Sequence, residues 1–293
     1  MREIPKWLKD LVGKNKAAYH AACAVETQKD LDNNSLFTVC QEARCPNRGE
    51  CFTHGDATLM ILGGICTRGC KFCAVSKTKP LPPDADEPAR VAAFVKNRAI
   101  KYLVLTMPTR DDLSDGGAEH IFKVITAVKQ QNPNTLVEPL ISDLGGKFEF
   151  LPRVIESGAE VIAHNIETVP SLYPAVRCGA DYKRSLNLLA EVKKIKPSLI
   201  TKSGLMIGLG ETEAELKDTF KDLRAVGCDL LTLGQYLAPS AQHYPVKDYP
   251  EQAYYDALRE YCMGIGFRGV MAGPLVRSSY RAGFLYKQVL LQR

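Results

Sequence analysis

From residue 58 onward, short apolar runs alternate with longer stretches whose apolar positions recur every three or four residues. The runs predict strands over Thr58–Leu62, Tyr102–Thr106, Leu136–Leu140, Val161–His164, Ile200–Ile207 and Leu230–Leu233, with Phe267–Met271 a weaker seventh. The helical patterns between them cover Pro88–Asn97, Gly117–Gln131, Phe148–Ser157, Tyr182–Lys194, Glu211–Val226 and Glu251–Gly264. In the best-patterned helix, Leu216, Phe220, Leu223 and Val226 share one face, and Thr212 and Glu213 precede them as N-terminal signals. Such alternation predicts parallel βα units, in a barrel or a doubly wound sheet, and either puts ligand sites at the C-terminal ends of the strands. Residues 1–57 break the rhythm and read as an extension lying over the main domain. The proline-rich segment 77–88 reads as the connection from the first strand region to its helix.

Composition excludes several classes. The chain has 293 residues, 45% hydrophobic and 24% charged, which is the balance of a globular enzyme and rules out disorder, collagen and a small disulfide scaffold. Its net charge of +5 is spread along the chain, so it suits acidic partners without calling for nucleic acid. The longest apolar run, near Ala57–Cys66, is broken by Gly63 and Gly64 and is far short of a membrane span. The first sixteen residues lack the apolar core of a secretion signal and the arginine richness of a transit peptide, so a cytoplasmic location is expected.

The ten cysteines change the picture. Six of them, Cys40, Cys45, Cys51, Cys66, Cys70 and Cys73, fall within 34 residues, where an even spread would place about one. In a reducing compartment that clustering points to metal ligation or thiol chemistry. Cys66, Cys70 and Cys73 form CxxxCxxC in a loop that begins just after the first strand and contains Gly69. Three thiolates so placed can hold three corners of a 4Fe–4S cluster and leave the fourth iron open to a substrate. A zinc site is the alternative, although closed zinc sites usually pair their cysteines two by two.

This spacing, with Phe72 before the last cysteine, resembles that of the radical S-adenosylmethionine enzymes. The second triplet, Cys40, Cys45 and Cys51, has CxxxxCxxxxxC spacing, and the pair of triplets resembles the lipoyl synthase family of that superfamily. The resemblance extends through Pro5–Leu8, Ala57–Gly63, Arg110–Gly117, His164–Glu167, Thr201–Met206, Leu233–Leu237 and Arg277–Tyr280. It departs at Met107 and Thr109, where relatives more often carry other residues before Arg110, and at Cys178.

The resemblance implies an α/β fold, a partial (β/α)6 TIM-type barrel over 58–272. An N-terminal extension at 1–57 would carry the auxiliary cluster ligands, and a closing segment would occupy 273–293. It implies two 4Fe–4S clusters, one on Cys66, Cys70 and Cys73 and a sacrificial one on Cys40, Cys45, Cys51 and Ser279, with Ser279 favoured over Ser278. S-adenosylmethionine would be the cosubstrate. Gly204, Met206, Gly208 and Glu211 match the GxIxGxxE pattern of its adenine site, with Met for Ile, although from these residues alone a plain strand, turn and helix start is the better reading. Asn165 and Glu167 would contact its ribose or methionine part, and Gly116 and Gly117 would either let backbone approach the methionine part or make a turn. The activity implied is insertion of sulfur at carbons 6 and 8 of a protein-bound octanoyl-lysine. The partners implied are the octanoylated acyltransferase subunit of 2-oxoacid dehydrogenases, the glycine-cleavage H protein, and a ferredoxin or flavodoxin as reductant. Another two-cluster sulfur-inserting enzyme, or a non-catalytic cluster protein, stays open. Cys23, Cys178, Cys228 and Cys262 are expected to be small buried hydrophobes, and His54 a hydrogen-bonding residue.

Overall fold

The computed structural model describes residues 3–18, 21–54 and 57–291. Its elements run α1 (Lys6–Ala17), α2 (Ala22–Asn33), β1 (Phe37–Thr38), α3 (Val39–Glu42), α4 (Arg48–Thr53), β2 (Thr58–Met60), α5 (Glu87–Asn97), β3 (Tyr102–Thr106), α6 (Ala118–Gln131), β4 (Leu136–Leu140) and α7 (Leu151–Ile155). They continue with β5 (Val161–Ala163), α8 (Tyr173–Val176), α9 (Tyr182–Ile195), β6 (Ile200–Ile207), α10 (Glu213–Ala225), β7 (Leu230–Gln235), α11 (Gln252–Gly264), β8 (Gly269–Gly273) and α12 (Ala282–Leu290).

The strand order is β1 through β8 in chain order. A doubly wound sheet reverses its order part-way, whereas a (β/α) barrel does not, so the absence of a reversal distinguishes the two folds left open by the alternation. The fold is α/β of the expected barrel type, with six βα units from β2 to α11 before β8. Strand β1 runs against its neighbour, pairing antiparallel with β2.

Two compact units emerge from the packing. One comprises Lys9–Arg68 and Ala74–Ile162; the other comprises Met1–Leu8, Gly69–Cys73 and Ala163–Arg293. In the first, β2, β3 and β4 pair in parallel, with Leu59 beside Leu105 and Leu105 beside Pro139. Helices α5 and α6 pack together, and Val91, Phe94, Val95, Ile121, Val124, Ile125 and Val128 are buried there at their 3.6-residue spacing. Helix α6 starts at Gly117, whose φ of +95° turns the chain, and the Asp115 carboxylate accepts from Gly117 N–H at 2.9 Å and Glu119 N–H at 2.8 Å. In the second unit, β6, β7 and β8 pair in parallel. The expected face of α10 is the buried one, with Leu216, Phe220 and Leu223 inside, and Thr212 and Glu215 close a capping box at its start.

The differences from the expected boundaries have local causes. Strand β2 stops at Met60 because Leu62 adopts a φ of +67°, which ends extended pairing. The stretch 148–157 opens as a 3₁₀ turn over Phe148–Phe150, and the α-helix is only Leu151–Ile155. The described residues of 1–57, a segment read only as rhythm-breaking, hold four α-helices and a two-residue strand.

Candidate functional site

In the first unit, the Cys66 loop begins from a turn pinned on both sides. The N–H of Leu62 donates to the buried Glu87 carboxylate at 2.8 Å, and its carbonyl accepts from the Arg110 guanidinium at 3.1 Å. His120 holds the same Glu87 oxygen at 2.6 Å. Arg110, 1% exposed, also grips Asp112 through two bonds and takes the carbonyl of Leu81, so it ties the proline-rich connection to the same turn. Beyond it, the Cys66 sulfur accepts backbone N–H groups from Thr109 at 3.3 Å and Arg68 at 3.4 Å. The Arg68 side chain is forked between Asp111, at 2.7 and 2.8 Å, and Asp143, at 2.6 and 2.9 Å. These hydrogen bonds and ion pairs hold its guanidinium firmly in the protonated form despite burial.

The second triplet lies in the same unit. Thr38 caps α3, which carries Cys40, and Cys45 N–H donates to the Cys40 carbonyl at 3.1 Å. Burial, reinforced by Cys45, pushes the Cys40 thiol up to about 11. Cys51 lies in α4, and the amide of Asn15 donates to Asn47 and Glu50 at the same helix. His54 caps α4, with its Nδ1 2.8 Å from the Glu50 carbonyl, and has the hydrogen-bonding role expected of it. Gly116 and Gly117 serve packing: a Cβ on the first would meet Leu144 backbone at 2.9 Å, and one on the second the Leu62 side chain at 2.6 Å.

In the second unit, Lys71 N–H donates to the Val176 carbonyl and the Lys71 carbonyl accepts from Tyr244 N–H, each at 2.8 Å. These bonds strap the Cys70–Cys73 segment, and Phe72 packs on the buried cluster of Val176, Leu209, Tyr236 and Val246, with Met206 beside it. At the end of β5, Asn165 donates to Glu167 at 3.1 Å and to the Ser278 hydroxyl at 2.7 Å. Its carbonyl oxygen is buried without a hydrogen-bond partner. A Cβ on Gly204 would lie 2.9 Å from that oxygen, 3.0 Å from Ser278 Oγ and 2.7 Å from Thr232 Oγ1, so the glycine leaves a small space lined by polar atoms. Glu167 has a φ of +69°, and burial raises its carboxyl above the usual range while the nearby charge of Arg177 lowers it.

Glu211 has a structural demand already on it. Its two oxygens accept from Gly208 N–H at 2.6 Å and Leu209 N–H at 2.8 Å and so close the turn from β6 to α10. Gly208 has φ +95°, and a Cβ there would meet the Asp248 carbonyl. Among the isolated cysteines, Cys228 and Cys262 are buried as expected; Cys23 is exposed and Cys178 half-buried, which corrects the expectation for those two. Cys23 lies on the first turn of α2, one residue before the buried Ala24, and so on the outward face. Among the described residues, no three His, Cys, Asp or Glu side chains stand together as a preformed metal site. Sequence reasoning passed over Arg68, Asp143, Glu87 and His120 as working residues, and weighed Ser278 only as a cluster ligand. Arg68 and Ser278 lie inside quoted motifs, whereas the isolated acids carry no spacing that could have marked them.

Residues 60–223 match the family model described as the radical SAM superfamily. The lipoyl synthase of Caldicellulosiruptor saccharolyticus is 50% identical over 278 residues, 95% of this chain and 95% of that protein. The chain belongs to the lipoyl synthase family. Another member, from Caldicellulosiruptor bescii, is 48% identical, with 95% and 94% covered. In fold, the chain is similar to the FeFe-hydrogenase maturase HydG of Carboxydothermus hydrogenoformans, with a TM-score of 0.58 at 13% identity, over 97% of this chain and 68% of that one. As a radical SAM family member, it uses a 4Fe–4S cluster and S-adenosylmethionine. The residues present fit both groups. Cys66 offers a thiol already set by N–H donors, and the orphaned Asn165 oxygen beside the Gly204 space offers an acceptor to a hydroxyl or ammonium hydrogen.

Proposed function

We propose that the chain exchanges two C–H bonds, at carbons 6 and 8 of an octanoyl group amide-linked to a carrier lysine, for C–S bonds. The observation that carries this is near-full-length identity of 50% to a lipoyl synthase, in a chain that retains both cysteine triplets. Cys66, Cys70 and Cys73 would hold one cluster, and Cys40, Cys45, Cys51 and Ser279 the auxiliary one that gives up sulfur. The hydroxyl geometry favours Ser279 over its neighbour: Ser278 is engaged by Asn165, whereas the Ser279 hydroxyl makes no hydrogen bond among the described residues. When bound, the first cluster would pass one electron to its cosubstrate, releasing methionine and supplying a 5′-deoxyadenosyl radical able to take hydrogen from carbon. The chain's own part is positional. Arg68, Asp111 and Asp143 fix the start of the loop, Phe72 anchors its end, and Asn165 and Glu167 line the cosubstrate's polar cradle. No side chain need act as a general base, because the hydrogen leaves carbon as an atom.

In this reading, residues 1–57 extend a barrel at 58–272, residues 273–293 supply Ser279, and the protein works in the cytoplasm. Its carriers are the acyltransferase subunits of 2-oxoacid dehydrogenases and the glycine-cleavage H protein, and a ferredoxin or flavodoxin is its reductant. The test is mass spectrometry of an octanoyl-lysyl peptide after anaerobic incubation with reconstituted protein, S-adenosylmethionine and dithionite. Gain of two sulfurs, lost in Cys45→Ala, supports the reading. Formation of 5′-deoxyadenosine with an unchanged peptide would remove the substrate assignment and keep the radical chemistry.

A further inference from the structure

Arg177, which the proposed chemistry leaves without a task, is largely buried at 9% exposure. Its Nη1 donates to Tyr173 Oη at 2.7 Å, Ser185 Oγ at 2.9 Å and the Ile166 carbonyl at 3.4 Å, and its Nη2 lies 3.4 Å from His164 Nε2. A guanidinium only donates, so His164 Nε2 accepts, and the imidazole proton lies on Nδ1. The Ser185 hydroxyl, 3.0 Å from the same Nε2, then donates to it. Tyr173 passes the contact on, donating its hydroxyl to the Ile166 carbonyl at 2.7 Å, and that carbonyl also takes Thr168 N–H at 2.9 Å. Three donors therefore converge on the peptide oxygen just before Glu167, the residue held at φ +69°. A non-glycine residue there persists only when its surroundings over-determine it.

The backbone around the same arginine reaches the cysteine loop. The Val176 carbonyl receives Lys71 N–H at 2.8 Å, and the Cys178 carbonyl lies 4.0 Å from the Cys70 sulfur. One buried side chain thus fixes the turn that presents Asn165 and Glu167, and its own segment fixes Cys70 and Lys71. We propose that Arg177 is a positioning residue that holds the Asn165–Glu167 cradle in register with the Cys70–Cys73 segment and so sets the affinity for S-adenosylmethionine. This rests on the reading that Asn165 and Glu167 contact that cosubstrate. Lysine cannot replace the arginine, because a single ammonium has neither the planar fork nor the reach to serve Ile166, Tyr173, Ser185 and His164 together.

The experiment measures binding of S-adenosylmethionine to the anaerobic, cluster-loaded protein by equilibrium dialysis. It also measures KM and kcat for 5′-deoxyadenosine formation, and iron and sulfide per chain. For Arg177→Lys and Arg177→Met, the dissociation constant and KM rise about tenfold or more, kcat changes much less, and cluster content is unchanged. Ser185→Ala, which keeps the charge but removes one acceptor, gives a smaller rise in the same direction and stands in if Arg177→Met fails to fold. Val192→Ala in α9 is the stability control, since it should lower the melting temperature without changing binding. If the Arg177 variants bind no worse than Val192→Ala, while Asn165→Ala binds weakly, the positioning role is overturned and the cosubstrate reading stands. If Asn165→Ala and Glu167→Gln both bind normally, the cosubstrate reading falls and takes this proposal with it.

Discussion

Arg68 illustrates how a residue inside a cysteine motif can serve the loop without touching a ligand atom by its side chain. Its backbone N–H faces the Cys66 sulfur, while its side chain is fixed by four bonds to Asp111 and Asp143; the arginine side chain is 8% exposed and that of Asp143 is fully buried. Arg68→Met withdraws the counter-charge from a buried carboxylate, so a loss of about 3 kcal/mol is expected by urea denaturation, reduced in proportion to the exposure of Asp111. A loss below about 0.5 kcal/mol would place the pair among surface ion pairs and dismiss the clamp. The departure from the family pattern at Thr109 is explained at the same scale. Thr109 meets the loop through its backbone, its N–H to Cys66 and its carbonyl to Thr67, so a change of side chain there costs little. The isolated cysteines give a second test. Burial pushes the thiols of Cys228 and Cys262 up to about 12, so at pH 8 they remain protonated and enclosed, whereas Cys23 is exposed. Brief iodoacetamide treatment followed by peptide mapping should find Cys23 alkylated and Cys228 and Cys262 intact; equal labelling of all three would contradict the structure.

At the level of elements, periodicity located the strands and most of the helices from 58 onward because each of those carries a buried face long enough to read, as Leu216, Phe220 and Leu223 do in α10. It missed α1, α2 and α12, and also α3, α4 and α8, which have only four to six residues, too few for a repeating stripe. The turn from β6 to α10 was legible as a glycine motif but not in its purpose. Gly208 is needed there for two separate reasons, a φ of +95° and an approach to the Asp248 carbonyl that leaves no space for a methyl group. Gly208→Ala should therefore cost about 2 kcal/mol or more, and it should loosen the Glu211 contacts to Gly208 and Leu209. Hydrogen exchange would show this as faster exchange at those two amides, and unchanged exchange would mean that the backbone absorbs the methyl group.

Over the whole molecule, the site divides into a part written in spacing and a part written only in three dimensions. Cysteine triplets are legible because cluster ligands often come from one short stretch of chain. Arg177 on the Ile166 carbonyl and Glu87 on the Leu62 amide join segments 11 and 25 residues apart, and no local pattern announces either bond. The same buried networks govern how global stability responds to pH. Burial raises the Glu167 and Glu211 carboxyls above their ordinary 4.5, and for Glu167 the charge of Arg177 only partly opposes that. A carboxyl with a raised folded-state pKa binds its proton more tightly folded than unfolded, so its contribution is most favourable below pH 4.5 and is lost as the pH rises through the folded value. Glu167→Gln keeps an acceptor for the Asn165 amide and removes the titration. Urea midpoints for both proteins, taken stepwise from pH 4.5 to 7.5, should therefore diverge in the variant's favour as the pH rises. Parallel curves would mean that Glu167 titrates alike in both states and that its burial does not weigh on the fold.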